Sequence, residues 1–262
     1  MSGRILVSFL ALFLAGACAT RSSASTSTVT VLAAASLKNV FPAIGKLFTR
    51  DHPATTVQFS FGGTDALAAQ IEEGAPADVF AGASTKYGDQ LAAGGLIDPW
   101  IPFCTNSLVL VLPAGNPAGV HSLADLARAG IKLVIGAESV PVGTYTRTAL
   151  HNLDASLGPG YSTRVLANVV SNEESVDGVL TKVRLGEADA GFVYVTDARA
   201  AGSSVRMIAL PPEAQARATY PIAVVRNARD HAAARAFVDL VVSPAGRAEL
   251  VRAGFGPPPV PA

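Results

Sequence analysis

The stretch TVTVLAAASLKNVFPAIGKLF, residues 28–48, changes character in its middle. Its first part is a strand-like run of β-branched residues, and its last part carries an apolar spacing of a different period. Between them stand Ala33, Ala34, Ala35 and Ser36. Small residues at the end of a strand clear room for a ligand at a helix start, where unpaired backbone N–H groups and the positive end of the helix dipole face outward. Ser36 adds a hydroxyl to that position. Pro42 does not fit inside a helix starting at Leu37, so the stretch predicts a short turn from Ser36 and then a main helix with Pro42 as its first residue.

The rest of the chain repeats this alternation. Strands are expected at 28–33, 56–61, 79–81, 107–113, 132–136, 191–194, 205–210 and 220–225. The clearest helices are expected at 65–73, 144–152, 176–185 and 231–242, the last with Pro244 and Gly246 just beyond its end. Such alternation predicts an α/β fold with largely parallel sheets. A chain of 262 residues, 50% of them hydrophobic, is long enough for two modest lobes. Three further helix starts use small or turn-forming residues. Gly62-Gly63-Thr64 leads into one, with Thr64 as the expected N-cap; a loop turning on Pro141 and Gly143 leads into another. The third, SNEESVDGVLTKVRLG, puts Val176, Val179, Leu180 and Val183 on one stripe. Its beginning has two readings, a capping box of Ser171 with Glu174 or a cap by Ser175.

Composition narrows the partner. Twenty Lys and Arg balance twenty Asp and Glu, so nothing draws the chain to nucleic acid or to an anionic surface. A small ligand fits better. Residues 1–18, MSGRILVSFLALFLAGAC, hold one positive charge at Arg4 and an apolar run too short for a permanent membrane span, as a secretory signal does. Residues 14–18, LAGAC, resemble a lipobox, with Cys18 the lipidated residue. Ala17-Cys18-Ala19 would equally serve ordinary signal cleavage. Residues 19–28 are a polar tether. The expected product is exported, either a cell-membrane lipoprotein held only by its lipid anchor or a periplasmic protein. Cys104 has no suitable partner, so no disulfide is expected. Neither nucleotide fingerprint occurs, nor a G-x-S-x-G elbow. His52, His121, His151 and His231 lie far apart in sequence and offer no paired metal-ligand spacing. A hydrolase built on Ser36 would need one of them folded against the serine, so a binding protein is expected rather than an enzyme.

Read together, VLAAASL, FGGTDALAAQIEEGAPADVFAGAS, NSLVLVLP, SVPVGTY, EADAGFVYVTDA, YPIAVV and the closing GF make the sequence resemble the molybdate-binding proteins that feed bacterial ABC importers. The likeness spans almost the whole mature chain. It implies a two-lobed periplasmic-binding-protein fold of type II-like form, each lobe a mainly parallel sheet flanked by helices, joined by crossovers near 106–108 and 219–221. Lobe I would hold residues 29–107 plus 219–262, and lobe II residues 108–218. The implied ligand is molybdate or tungstate, dehydrated in the interlobe cleft and bound through its oxygens, with no metal–protein bond and no cofactor. Carried over residue by residue, the site is the hydroxyls of Ser36, Thr64 and Tyr194 with the backbone N–H groups of Val142 and Val176. The implied partners are the importer's permease and ATPase subunits, the protein itself being a monomer. Thr64 stands where the family often has serine. Asp65 follows it directly and is expected to point to solvent or its own helix, because a carboxylate in the cleft would repel a dianion. It would also accept a phosphate proton, which keeps a sulfate or phosphate binder as the alternative.

Overall fold

The structure is a computed structural model that describes residues 27–259; the signal sequence and Cys18 lie outside the described residues. The β-branched run becomes β1 (Ser27–Ala34), which pairs in parallel along its whole length with β2 (Thr55–Gly62). A 3-10 turn at Ala35–Leu37 and α1 (Phe41–Asp51) connect them. Pro42 is the second residue of α1, where the expectation put it first; neither position has an N–H bond to lose, so proline fits both. Alternate side chains of β1 serve two cores. Val29, Val31 and Ala33 pack with Phe41, Ile44 and Phe48 of α1, while Leu32 joins Leu67, Ile71 and Phe80 on the opposite face.

The chain continues through α2 (Thr64–Glu72), β3 (Val79–Ala81), α3 (Thr85–Ala93) and β4 (Ile101–Asn106). It then builds β5 (Leu108–Pro113), β6 (Leu133–Gly136), α4 (Pro141–Leu157), α5 (Tyr161–Leu166), β7 (Val169–Glu173), α6 (Val176–Arg184), β8 (Ala190–Tyr194), α7 (Val195–Ala201) and β9 (Val205–Ala209). It returns through β10 (Ala218–Val224) and ends in α8 (His231–Val242) and α9 (Pro244–Ala253).

Among the described residues ten strands form two five-stranded sheets of one plan, ordered β2-β1-β3-β10-β4 and β7-β6-β8-β5-β9. In each sheet four strands point one way and the fourth in the order is reversed: β10 runs antiparallel to β3 and β4, and β5 to β8 and β9. Each reversed strand has just arrived from the other sheet. β4 passes into β5 through Ser107, and β9 passes into β10 through residues 210–217. The fold is therefore α/β and two-lobed with mainly parallel sheets. Residues 219–221, read from sequence as the second passage, lie inside β10.

Two polar fastenings hold the first sheet. Asp78 is buried, its carboxylate accepting the N–H of Thr30 at 2.7 Å and that of Arg229 at 2.8 Å, which ties β1 to the turn after β10. Gly256 bridges back to Thr105 of β4, whose hydroxyl donates to the Pro257 carbonyl at 2.9 Å. Cys104, one residue earlier, is buried and unbridged.

Candidate functional site

In open α/β sheets the carboxyl ends of parallel strands deliver loops and helix starts to one edge, and here the two sheets point those edges at each other. Ser36 follows β1 and Thr64 follows β2. Val142 is the second residue of α4 after β6, Val176 the first residue of α6 after β7, and Tyr194 the last residue of β8. These five residues line one cavity together with Ala34, Ala35, Gly63 and Ala83. Each is at most 3% exposed. The space open to the centre of a water-sized sphere is about 10 Å³, room for one small compact group.

The hydroxyls are held in particular directions. Thr64 was the expected N-cap of α2, but Gly63 holds that position and Thr64 is the first helical residue. Its Oγ1 instead accepts the Ala83 N–H at 3.0 Å, because the loop after β3 brings that amide alongside; the Thr64 proton is then free to point into the cavity. Ser36 Oγ lies 2.8 Å from the Tyr220 hydroxyl on β10. Tyr194 is buried, yet its hydroxyl has no partner among the described residues. Burial, followed by the nearby Tyr220, Tyr145 and Asp197, pushes its pKa well up, so it keeps its proton and can donate. Leaving such a group unpaired costs about 1–3 kcal/mol.

The two helix starts add backbone donors. Ser175 caps α6, its side chain accepting from Gly178 N, which decides between the two sequence readings of that start. Val142 and Val176 stand in first turns, where N–H groups have no intrahelical acceptor. α4 sits hard against the end of β6: a β-carbon at Gly143 would lie 2.0 Å from the Ala137 carbonyl, so only glycine allows this seating. Among the described residues no charged side chain lines the cavity. Its chemistry is that of hydrogen-bond donors at three positive helix ends, those of α2, α4 and α6, the complement of a small anion.

Contacts across the cleft surround it. Lys38, after the first turn, forms an ion pair with Asp177 of α6. Ser139 donates its hydroxyl to Asp65 Oδ2 at 2.7 Å, and its carbonyl accepts the Tyr87 hydroxyl at 2.6 Å. Asp65 thus faces the other lobe, contrary to the expectation of solvent or its own helix, because the loop before α4 presents Ser139 to it. Its second oxygen is buried without a partner.

Residues 29–256 match the sequence family of bacterial extracellular solute-binding proteins. The chain belongs to this family. It is 41% identical over 231 residues to the molybdate-binding protein ModA of Mycobacterium tuberculosis, covering 88% of this chain and 85% of that one. It is 33% identical over 236 residues to ModA of Escherichia coli, covering 87% and 88%. Among solved structures, the periplasmic molybdate-binding protein of Azotobacter vinelandii shares the fold, with a TM-score of 0.76 at 21% identity over 89% of this chain and 100% of that one.

For a solute-binding protein of this family, the residues that escaped the sequence reading are those that hold the donors and the lobes. Tyr220 and Asn106 sit behind Ser36; Ser139, Lys38 and Asp177 sit at the rim. Tyr220 occurs in the YPIAVV run, where its apolar neighbours make it read as a strand residue only. The hydrolase alternative finds no support at Ser36, whose hydroxyl pairs with a tyrosine and not with a histidine. Among the described residues no three His, Cys, Asp or Glu side chains form a metal-binding group.

Proposed function

We propose that this protein captures molybdate, and with it tungstate, between its two lobes and hands it to the permease and ATPase subunits of an ABC importer outside the cytoplasm. The relatives it resembles over most of their length are molybdate-binding proteins. The observation that carries the reading is the Tyr194 hydroxyl, buried and unpartnered at a cavity whose other polar groups are donors from both lobes. A tetrahedral dianion supplies what every one of those groups lacks. Ser36 and Thr64 donate from lobe I, and Val142, Val176 and Tyr194 from lobe II, so the anion binds fully only when the lobes meet. Charge-assisted bonds are worth about 1.5–3 kcal/mol each, which makes five sufficient without an arginine. The lobes change at Ser107 and within residues 210–217. No catalytic step is assigned to the site.

Calorimetric titration of the mature protein with molybdate, tungstate, sulfate and phosphate tests this. Tight heats with the first two, and much weaker ones with sulfate and phosphate, are expected. Absence of binding to all four refutes it.

A further inference from the structure

Ser36 faces the cavity on one side and a buried polar chain on the other. Its Oγ is 2.8 Å from the hydroxyl of Tyr220, itself fully buried on β10. On the far side of that hydroxyl, at 3.5 Å, lies the side-chain nitrogen of Asn106. The orientation of this amide is fixed from two directions: Asn106 Oδ1 accepts the N–H of Ser107 at 3.0 Å, and Nδ2 donates to Thr196 Oγ1 at 2.8 Å. Asn106 therefore shows the Tyr220 oxygen only N–H, and the phenolic proton finds no acceptor there. Burial, against the opposing pull of Ser36 and Asn106 and with Asp197 and Cys104 adding to it, keeps that proton on the phenol. It turns to Ser36. With a lone pair of Ser36 filled from Tyr220, the serine proton points to the cavity.

From this geometry we propose that Tyr220, oriented by Asn106, is a specificity-determining positioning residue that fixes Ser36 as a donor and so excludes oxyanions that carry a proton. The inference rests on the oxyanion reading of the site and adds the source of its discrimination. Thr64 is locked in the same sense by the Ala83 N–H, but that donor belongs to the backbone. At Ser36 the lock is a side chain and can be removed. A cavity whose hydroxyls are turned as donors leaves the hydrogen of hydrogenphosphate unpaired, whereas sulfate, nearly the same size, carries none. Releasing Ser36 lets it turn and accept that hydrogen.

The test is competition of sulfate and of phosphate against bound molybdate, in wild type and in Tyr220→Phe. The ratio of phosphate to sulfate inhibition constants is expected to fall by about tenfold or more in the variant. Asn106→Asp should move the ratio the same way while leaving the Tyr220 ring in place, because a carboxylate there draws the phenolic proton away from Ser36. Melting of each unliganded variant reads folding separately, and either variant that folds suffices for the comparison. Equal weakening of both anions, with the ratio unchanged, overturns the inference and leaves Tyr220 a packing residue. A wild type that binds no molybdate overturns the functional reading, and this inference with it.

Discussion

The α-carbon of Gly63 faces the main-chain carbonyl of Glu174 across the cleft so closely that a β-carbon on Gly63 would stand 2.3 Å from that oxygen. The backbone at Gly63 is ordinary, with φ −61° and ψ 137°, so alanine is permitted there by its own geometry. Asp65 Oδ1, 2.7 Å from that β-carbon, is the end of a side chain and can turn aside, so the rigid obstacle is the backbone of the other lobe. Gly63→Ala is expected to wedge the cleft and lower molybdate affinity by roughly five- to 150-fold, the equivalent of about 1–3 kcal/mol of overpacking. Melting of the unliganded protein should change little. Calorimetry beside thermal melting checks both; unchanged affinity would mean that full contact of the lobes is unnecessary for binding.

Tyr194→Phe removes a hydroxyl that no protein group satisfies. Unliganded stability should hold or rise slightly, while molybdate affinity falls by roughly ten- to 150-fold, the worth of about 1.5–3 kcal/mol in one charge-assisted bond. The molybdate-induced rise in melting temperature should shrink accordingly. Equal affinities would return this tyrosine to the core.

Ser139→Ala takes the hydroxyl from Asp65 and leaves that carboxylate facing the opposite lobe alone. Molybdate should dissociate faster, by about threefold to tenfold, with little change in association, since the contact forms as the cleft closes. The Lys38–Asp177 pair behaves differently because both side chains remain partly in water, 36% and 42% exposed. Lys38→Met should cost at most about 1 kcal/mol, and the loss should fade in high salt. Stopped-flow release of molybdate at low and high salt separates the two contacts.

Asp197 makes stability depend on pH. It is buried in the first turn of α7, and burial raises its pKa to about 7 against the opposing pull of the Tyr194 N–H and Lys38, with Asp177 adding to the rise. Its unfolded value is about 3.9. Between these values the folded state holds a proton that the unfolded state has released, so stability falls as pH rises from about 4 to about 7, by at most about 1.4 kcal/mol per pH unit. Asp197→Asn should flatten this slope and be the more stable form above about pH 7. Urea unfolding across that range decides the matter; parallel curves for the two proteins would remove Asp197 as the cause.

Most of the architecture was readable because its signals are local. β1 and β2 announce themselves by β-branched runs between small residues, β3 by a short apolar run before a glycine, and α8 by an apolar stripe ending at a proline. Pro102 and Asn106 make IPFCTN read as a loop, yet it forms β4 at a sheet edge, where a proline costs fewer ladder bonds. β7, VVSNE, carries Ser171 and Glu173 and so reads as part of the helix start that follows it. Pro244 was read as a stop signal for α8, and it also opens α9, capped by Ser243. At the site, the five cavity-lining residues are legible from family motifs, whereas the bonds of Ser36, of Thr64 and of the neighbouring Asp65 reach Tyr220, Ala83 and Ser139, which lie 184, 19 and 74 residues away in sequence. Separations of that kind have no periodic signature in a single sequence.

The return of Gly256 to β4 has a practical consequence for anyone turning this protein into an optical sensor. Ser27 belongs to the first sheet and Gly256 is bridged to its edge strand, so fluorophores attached near these two positions travel together and their separation stays constant while the cleft shuts. A signal requires one dye on each sheet. Leu185, 68% exposed at the end of α6, offers an attachment point on the second; paired with a dye near Gly256, it would turn anion capture into a change in energy transfer.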